Sequence, residues 1–418
     1  MSLFDVLPFT PPDSAFSLIA AFAADESPQK VNLCPGFYRD EQARPWVLPS
    51  VQKAKEILNA DITQNHEHLP LTGHPQLISG ARKLVFGSSH EEDLARIATI
   101  QTVSGTGSNH MGARLLCDVG APKHVWISDP SWVNHTEVWE IVNLTVEQRF
   151  YPYFAEATLS LDFEGMLQTL KTEAIEGDVI ILHACAHNPT GQDLSKEQWK
   201  IVADLCEEKS LIALFDIAYL EQDAWPIRHF FDRGLEFVVA QSFSKNFGLY
   251  GERVGALHVV TRSKEASSKV LGHVLRLQRA EITTPPSYGA KIVAIILSDK
   301  ELFRQWEDDL QHMSNRMKSM RQRLYEELKW GQTLGEWEHI VSEVSEWQAT
   351  CSIRCLDRNL LQIGMFSITG FSKAQVVELK EKYHIYLLPT GRISIAGLTE
   401  TNVQYVASAF DEVIRSNS

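Results

Sequence analysis

The sequence predicts an α/β protein, with a large domain built on a mainly parallel sheet flanked by helices and a smaller α+β domain formed from both termini. Three observations support this prediction: short apolar runs rich in β-branched residues, helix-patterned stretches between them, and a long charged stretch after which the elements become smaller. A chain of 418 residues that is 44% hydrophobic is large enough for two such domains.

Four apolar runs predict the strands of the large sheet. The helix-patterned stretch 196–209 separates two of them, and this alternation is typical of a parallel sheet. The loops after the carboxyl ends of parallel strands meet at one crevice, so the residues that follow the runs are expected to carry the chemistry. The runs are His124–Ser128, Asp178–His183, Leu211–Phe215 and Glu236–Gln241.

The charged stretch from Lys300 to about Lys329 predicts a long helix that connects the two domains. Residues 46–310 are therefore assigned to the large domain, and residues 1–45 and 311–418 to the small domain. The opening residues are rich in proline and turns, and they are expected to join the carboxyl-terminal part of the chain.

Composition argues against several other classes of protein. A formal net charge of -14 gives no general attraction to nucleic acids or anionic membranes. No apolar run reaches the roughly 20 residues that span a bilayer. The six cysteines are too sparse for a disulfide framework, and the amino terminus has no signal-type apolar run. These observations favour a cytoplasmic protein that binds neither nucleic acid nor membrane.

Lys245 and Asp216 are the first candidates for chemistry. Lys245 follows the last parallel strand, where a sheltered lysine can lose its proton and attack an aldehyde. Taken alone, a lysine on a loop is more often a solvated surface residue. Asp216 ends a buried strand, where a carboxylate is costly unless it meets a cation such as a protonated pyridine nitrogen. A ring held by such a contact acts as an electron sink.

Three further segments carry candidate residues. Ser104-Gly-Thr-Gly107 precedes an apparent helix, whose N–H groups and dipole can hold a phosphate. Trp132 offers an indole that can stack on an aromatic ring, with His135 behind it able to reach a buried carboxylate. Asn188 lies in a Pro/Gly turn, and its amide could donate a hydrogen bond to a phenolic oxygen on a bound aromatic ring. Each signal is weak by itself, and a tryptophan is more often a core residue.

In order and spacing, these segments resemble the aspartate aminotransferase family, fold-type I enzymes that use pyridoxal phosphate. The resemblance extends from about Val31 to Ile414. The motifs that carry it are Asn188-Pro-Thr-Gly, Asp216-x-Ala-Tyr219, Ser242-x-x-Lys245-Asn, Tyr250-Gly-Glu-Arg253-Val-Gly and Gly391-Arg392-Ile-Ser.

The resemblance implies the pyridoxal-phosphate transferase fold, the cofactor pyridoxal 5'-phosphate, and a role for each matching residue. Lys245 would form the internal aldimine and then act as the base that moves the Cα proton. Asp216, supported by His135, would keep the ring nitrogen protonated. Tyr219 and Asn188 would hydrogen-bond the phenolic oxygen. The ring face would be covered by Trp132, and the phosphate would be bound by Ser104, Gly105, Thr106, Ser242 and Arg253.

The resemblance also implies how substrates bind. Arg392 would pair with the α-carboxylate of an amino acid or 2-oxo-acid, although a surface salt bridge is its ordinary alternative. Arg279 has the family spacing of an arginine that reaches in from a partner subunit and pairs with a distal carboxylate. The resemblance therefore implies a homodimer with shared active sites and a dicarboxylic substrate. The residues expected to assist Arg392 are Gly36, Trp132 and Asn188.

The chain departs from the family pattern at three places near the substrate. Residues 280–284 replace the Pro, aromatic, Ser and Asn residues that usually precede the Pro-Pro pair. His68 stands where the family has a tyrosine that reaches the phosphate of the neighbouring subunit. After Tyr219 the chain omits a glycine-rich loop, which predicts a wider entrance. Cofactor binding is therefore better supported than the identity of the substrate.

An extra segment, about 343–361, interrupts the otherwise matching small domain. The abrupt boundaries of the segment suggest a retained intron read as coding sequence, which sequencing of the mature transcript would settle. The equally weighted alternative is a genuine surface loop, because long loops cost little closure entropy. Cys351 and Cys355 within the segment are poor support for a metal site, and no metal is expected.

The motifs together favour two-step transamination from an L-amino acid, with aspartate preferred, to 2-oxoglutarate. One alternative is another reaction on the same fold, such as β-elimination, replacement or carbon–carbon bond formation, motivated by His68, Thr283 and Thr284. A second alternative is a catalytically silent homologue. A dinucleotide-binding oxidoreductase is rejected because Gly105-Thr-Gly107 does not continue as G-x-G-x-x-G.

Overall fold

The computed structural model describes residues 3–87, 91–218, 224–341 and 364–416, which form two compact units. Among the described residues, those between 45 and 316 together with residue 364 are called the central unit, and residues 3–44, 317–341 and 365–416 are called the terminal unit. The boundary between residues 316 and 317 lies inside one long helix. The domain limits expected from the sequence stay a prediction, because compactness alone does not show that a segment folds independently.

The described chain contains both strands and helices along its length. The strands are β1 (Val31–Asn32), β2 (Ile97–Val103), β3 (His124–Asp129), β4 (Glu147–Pro152), β5 (Phe154–Ala155), β6 (Ser160–Leu161), β7 (Val179–His183), β8 (Ile212–Ile217), β9 (Phe237–Ser242), β10 (Val254–Val260), β11 (Phe366–Ile368), β12 (Ile385–Tyr386) and β13 (Arg392–Ser394). The helices are α1 (Ser14–Ala24), α2 (Pro49–Ala60), α3 (Pro75–Phe86), α4 (Glu91–Leu94), α5 (Ser104–Gly120), α6 (Val133–Val142), α7 (Phe163–Glu173), α8 (Lys196–Glu208), α9 (Trp225–Asp232), α10 (Lys264–Glu281), α11 (Tyr288–Ser298), α12 (Lys300–Trp330), α13 (Lys373–Tyr383) and α14 (Val403–Ser416).

The central unit is organised around a seven-stranded sheet in the order β2-β10-β9-β8-β7-β3-β4. Neighbouring strands are parallel except β10, which runs antiparallel to both β2 and β9. The predicted mainly parallel sheet is confirmed. The strands β3, β7, β8 and β9 match the predicted apolar runs to within two residues at each end. The helices expected at 196–209 and at 300–329 are α8 and α12.

Helices cover both faces of this sheet, which explains why its strands read as apolar runs rather than as alternating patterns. Every residue of β9 and β10 is buried. Successive side chains of β8 point to opposite faces. Phe215 packs in one core cluster with Trp199 of α8 and Phe230 of α9, whereas Leu214 packs in a second cluster with Leu116 of α5.

In the terminal unit, segments from the two ends of the chain pair with each other. β1 is parallel to β12, and β11 is antiparallel to β13. Asp25, which follows α1, accepts a hydrogen bond from the Tyr386 hydroxyl at 2.7 Å and lies 2.7 Å from His384 Nδ1. Hydrogen bonds from the Ser27 N–H, Tyr386 and His384 lower the pKa of Asp25 to about 2. An ionised carboxylate therefore links α1 to β12.

No helix within the described ranges combines the length and the apolar character that a membrane crossing requires.

Candidate active site

The ends of several strands meet at one edge of the central sheet. In the sheet register, His183 at the end of β7 is opposite Asp216 in β8, and Ser242 at the end of β9 is opposite Gly255 at the start of β10. The end of β2 pairs with the start of β10. Because β10 runs antiparallel, its first residues share this edge with the last residues of the parallel strands. The predicted residues brought to the edge by this topology are Ser104, Asp216, Ser242 and Arg253.

Asp216 is a buried carboxylate held by two donors. His135 Nε2 lies 3.0 Å from Asp216 Oδ2, and Asn109 Nδ2 donates to the same oxygen at 3.2 Å. Burial raises the pKa of Asp216, but the hydrogen bond and charge of His135, with the charge of Lys245, lower it by more. The pKa of Asp216 therefore lies below its usual range, and the carboxylate is ionised at neutral pH.

Three imidazole rings form a row beside Asp216. The ring centroid of His183 lies 4.9 Å from that of His135 and 4.4 Å from that of His187. Burial, reinforced by the neighbouring histidines, lowers the pKa of His183 well below its usual value, so this ring is neutral at pH 7. Ser131 Oγ lies 3.1 Å from His135 Nδ1 and orients that ring.

The cluster of His135, His183 and Asp216 has the compactness of a metal site, since one polar atom of each lies within 4.8 Å of the others. His135 Nε2 and Asp216 Oδ2, however, contact each other directly. The cluster is therefore interpreted as a hydrogen-bonded network, and the absence of a metal stays a prediction.

The first turn of α5 contains Ser104, Gly105 and Thr106. The sequence predicts a glycine-rich turn before the helix, whereas in the structure the helix begins at Ser104 itself. Ser104 adopts a φ of +66°, and its N–H donates to Arg253 O at 3.1 Å, so the chain turns sharply from β2 into the helix. A Cβ on Gly105 would lie 2.8 Å from Cβ of Ser242, and the turn therefore packs closely on the end of β9.

Two features give this part of the edge a positive potential. The N-cap residue of α5 is Val103, which has no polar side chain to cap the helix, so the positive end of the helix dipole is not offset there. Arg253 is half-buried, and its Nη1 donates to Tyr250 O at 2.9 Å. Burial lowers the pKa of Arg253, but an arginine remains charged. A phosphate group is the kind of anion that this arrangement attracts.

Lys245 lies in the turn after β9, and its side chain is half-buried. Its carbonyl accepts the N–H of Gly248 at 3.2 Å. Phe243 and Phe247 are fully buried, and Phe247 stacks on Trp306 with ring centroids 4.8 Å apart. These anchors fix the backbone from which the Lys245 side chain extends.

Trp132 is the N-cap residue of α6, and it is half-buried. Its indole meets the ring of His135 edge to face, with centroids 5.2 Å apart and an interplanar angle of 83°. This contact places the indole beside the network that holds Asp216.

Asn188 lies in the turn after β7, which a carboxylate organises. Asp193 accepts the N–H of Ala186 at 2.7 Å and the N–H of His187 at 3.0 Å. Burial raises the pKa of Asp193 to about 6, although these two donors oppose the shift. The backbone immediately before the half-buried Asn188 therefore depends on Asp193.

The raised pKa of Asp193 predicts a pH dependence of stability that Asp193→Asn removes. The carboxyl normally titrates near 3.8, so between about pH 4 and 6 the folded protein holds a proton that the unfolded chain has released. The contribution of Asp193 to stability is therefore complete below about pH 4 and is lost as the pH rises through about 6. We expect the free energy of unfolding of wild type, relative to the variant, to fall over this interval in urea unfolding experiments. A difference that does not vary with pH would contradict this expectation.

In the terminal unit, Arg392 is held by two contacts. Its Nη2 donates to Cys34 O at 2.9 Å, and its guanidinium carbon lies 4.0 Å from the centroid of the Phe366 ring. A Cβ on Gly36 would lie 2.7 Å from Cζ of the same phenylalanine, so only glycine fits at that position without a shift. Both predicted substrate-binding residues of this unit therefore lie around Phe366.

His68 and Arg279 are exposed residues of the central unit. His68 Nδ1 lies 3.1 Å from Thr284 Oγ1, and Arg279 Nη1 donates to Thr283 Oγ1 at 2.9 Å. Thr283 has a φ of +66°, which is uncommon for a β-branched residue. In the described chain these two residues contact the altered segment 280–284 rather than the cluster around Asp216.

Tyr219 and the segment 343–361 lie outside the described residues, as do residues 220–223 of the shortened loop. The expectations for them stay predictions.

Asn109 is a site residue that sequence reasoning did not single out. Its side chain is 2% exposed, and its Nδ2 donates to Gly105 O at 3.0 Å as well as to Asp216. It therefore links the first turn of α5 to the buried carboxylate. One feature of the sequence could have indicated it: Asn109 lies two residues after Gly107, in the predicted helix. Residues buried in a helix are usually apolar, so a buried amide there is unusual.

Comparison with known proteins assigns the chain to one family over nearly its whole length. The family model for aminotransferase class I and II matches residues 28–410. The cytoplasmic aspartate aminotransferase of Schizosaccharomyces pombe is 41% identical over 96% of this chain and 96% of its own. The L-tyrosine:2-oxoglutarate aminotransferase of Aspergillus ustus is 42% identical over 96% of this chain and 76% of its own.

A solved structure extends the similarity to three dimensions. The aromatic-amino-acid aminotransferase from Burkholderia pseudomallei, covalently bound to pyridoxal phosphate, matches with a TM-score of 0.90 and 35% identity. The match covers 99% of this chain and 100% of that one. The resemblance and the fold expected from the motifs are therefore confirmed, and the chain is an aminotransferase that belongs to the class I and II aminotransferase family.

Proposed function

We propose that this aminotransferase uses pyridoxal phosphate, attached to Lys245, to transfer the amino group of L-aspartate to 2-oxoglutarate. One observation carries the proposal. At the edge of the central sheet, a half-buried lysine lies near an ionised, buried carboxylate, and an uncapped helix end lies beside an arginine. These features suit an aldehyde, a pyridine nitrogen and a phosphate, which are the three polar groups of this cofactor.

The residues present fit the cofactor in their chemistry. Asp216 offers an ionised carboxylate to a protonated ring nitrogen. A Cβ on Gly105 would collide with Ser242, so a glycine allows the first turn of α5 to pack against the end of β9, and the N–H groups of this turn suit a phosphate. Phosphate binding is proposed for Ser104, Gly105, Thr106, Ser242 and Arg253, with His68 contributed by the partner subunit.

When bound, pyridoxal phosphate supplies an aldehyde carbon that carries the amino group and a ring that withdraws electrons from the substrate Cα. Lys245 would hold the aldehyde end, and after its displacement by the substrate its Nζ would accept the Cα proton. Asp216 would hold a proton at the ring nitrogen, and His135 would orient that carboxylate. Trp132 would cover one face of the ring. Hydrogen bonds to the phenolic oxygen are proposed for Asn188 and Tyr219.

Arg392 is proposed to bind the α-carboxylate of the amino acid and of the oxo-acid. Its contacts with Cys34 O and the Phe366 ring hold the guanidinium fork in place before substrate binds. A fork fixed in this way loses little entropy when it pairs with a carboxylate. Assistance is proposed from Gly36, Trp132 and Asn188.

Arg279 is proposed to bind the distal carboxylate of a dicarboxylic substrate, reaching it from the partner subunit of a homodimer. Arg279→Ala should therefore reduce kcat/KM for aspartate and 2-oxoglutarate by about 10- to 100-fold, the range expected for losing a hydrogen bond to a charged group. Monocarboxylic amino acids should be nearly unaffected. Steady-state kinetics with both substrate classes measures the difference, and equal losses for both would refute the role.

Arg276 provides a matched control, because it is also exposed and lies one turn earlier on α10. Arg276→Ala should leave both substrate classes unchanged. The shared site can be tested by mixing Lys245→Ala protomers with Arg279→Ala protomers. In hybrid dimers one site regains both residues only if Arg279 acts across the interface, so recovered activity supports a shared site and no recovery argues against it.

Aromatic amino acids are the second candidate substrates. One relative is named for L-tyrosine and one matching structure for aromatic amino acids. The segment 280–284 that contacts Arg279 and His68 has also lost the usual family residues.

A panel of half-reactions tests the proposed function and separates these substrates. Holoenzyme mixed with one amino acid should form pyridoxamine phosphate and the matching oxo-acid, fastest with aspartate. Faster conversion of tyrosine or phenylalanine would favour the second candidate. Release of ammonia or formation of a new carbon–carbon bond would contradict transamination. The curated relative from Schizosaccharomyces pombe is named as cytoplasmic, and the same compartment is proposed here.

A further inference from the structure

Asn109 occupies a position where its amide is only partly satisfied. Its Nδ2 faces Gly105 O and Asp216 Oδ2, which are both acceptors, so the orientation of the amide follows from its partners. This orientation leaves Oδ1 buried without a hydrogen-bond partner among the described residues. A buried acceptor left without a donor costs roughly 1–3 kcal/mol. An apolar residue of similar size would avoid that cost.

A buried polar group that is retained at a cost to stability calls for a functional explanation. The Asp216 carboxylate is the only charged partner of Asn109 recorded among the described residues. His135 contacts the same carboxylate oxygen. The amide of Asn109 does not ionise, so it donates to the Asp216 carboxylate as a neutral group.

The second hydrogen-bond partner of Asn109, the carbonyl of Gly105, connects the Asp216 carboxylate to the first turn of α5. Gly105 lies in the first turn of α5, where the phosphate is proposed to bind. The same amide therefore joins Asp216 in β8 to the helix end that faces the phosphate. The two ends of the proposed cofactor would be held at a fixed separation by this link.

We propose that Asn109 is a positioning residue, which holds Asp216 against the first turn of α5 and so fixes the carboxylate for the ring nitrogen. This inference rests on the proposed cofactor. The groups that act on Asp216 are His135 and Lys245 through charge, and His135 and Asn109 through hydrogen bonds, while the neutral His183 ring lies beside His135. Of the two hydrogen-bond partners of Asp216, Asn109 is the one whose side chain carries no charge.

Asn109→Leu tests the proposal, because it removes the amide together with its unpartnered oxygen. The dissociation constant of pyridoxal phosphate, measured by equilibrium titration of the apoprotein, should rise by about 10- to 100-fold. The melting temperature of the apoprotein should change little, because the substitution removes both the stabilising hydrogen bond to Asp216 and the destabilising unpartnered oxygen. A merely structural residue would give the opposite pattern, with lower stability and unchanged affinity, and that result would overturn the proposal.

The ionisation of Asp216 gives a second readout that does not need the cofactor. Carbon-13 NMR of labelled carboxylates in the apoprotein, with Asp216→Asn used for assignment, should show a higher pKa for Asp216 in Asn109→Leu than in wild type. An unchanged pKa would count against the proposal.

Gln278 supplies a matched control. It is a buried amide on α10 whose Nε2 donates to the carbonyl of Leu71 and whose Oε1 has no partner within the described ranges. Gln278→Leu should leave cofactor affinity unchanged. If wild type itself fails to bind pyridoxal phosphate, the proposed function fails. If wild type binds and Asn109→Leu binds equally well, only the role of Asn109 fails.

Discussion

Replacing Lys245 with alanine is expected to lower amino-group transfer by at least about 10⁴-fold, the upper range for a positioned acid–base group. The variant should also lack the covalent attachment of the cofactor. Lys245 is the amine next to β9 whose charge acts on Asp216, and its turn is anchored by Phe243 and Phe247. Borohydride reduction of holoenzyme followed by peptide mass spectrometry should find the cofactor on Lys245 in wild type and on no residue in the variant.

Lys245→Arg separates the loss of the amine from the loss of the charge. Arginine keeps a cation near Asp216 but does not act as a nucleophile at neutral pH, so this variant should fold normally and remain inactive. A variant without Lys245 that still attaches the cofactor covalently and still exchanges amino groups would remove the basis of the proposed function.

Asp178→Ala is expected to lower the free energy of unfolding by roughly 3–5 kcal/mol, the usual cost of removing one partner from a buried charged network. Asp178 is 0% exposed, and its carboxylate accepts from Trp126 Nε1 at 2.9 Å and from the Ile175 N–H at 3.0 Å. It also contacts Nδ1 of the buried His124 at 2.9 Å. The substitution leaves these donors buried without an acceptor, which urea unfolding should register.

Glu147→Gln is the control for this prediction. Glu147 lies 3.7 Å from the other side of His124, but its side chain is 56% exposed. An exposed ion pair contributes about 0–1 kcal/mol, so the variant should unfold nearly as wild type does. If the free energy of unfolding fell as little in Asp178→Ala as is expected for Glu147→Gln, the buried network would not anchor the start of β3.

The sheet could be predicted from sequence because its strands are buried on both faces. Phe215 and Leu214 are adjacent in sequence and enter different core clusters, so an apolar residue was needed at each position. Asp216 could be singled out for a related reason: a carboxylate that directly follows a buried apolar run is costly unless it has a partner. Of the two residues that hold it, His135 is expected beside Asp216 from the sequence, whereas Asn109 is not singled out there, and both come from distant parts of the chain. Their side-chain directions depend on how α5 and α6 pack.

The start of α5 shows a second limit of sequence reasoning. Glycines in Ser104-Gly-Thr-Gly107 favour a turn by local propensity, yet the structure places these residues in the helix. The close packing of Gly105 on Ser242 explains the difference, because a tertiary contact needs a small residue there whether the backbone is helical or not.

Residues 280–284 show a third limit, since the contacts of Thr283 and Thr284 with Arg279 and His68 follow no family pattern.

Because β10 runs antiparallel to its neighbours, several residues of the proposed cofactor site lie close together in sequence. In a purely parallel sheet the chain must complete a crossover before it returns to the same edge, so neighbouring site residues are separated by a helix in sequence. Because β10 follows β9 directly and runs antiparallel to it, residues 242–254 leave and re-enter the sheet at one edge. The lysine proposed for the aldehyde and the arginine proposed for the phosphate, which are neighbouring groups of the cofactor, therefore lie on one continuous peptide of residues 242–254.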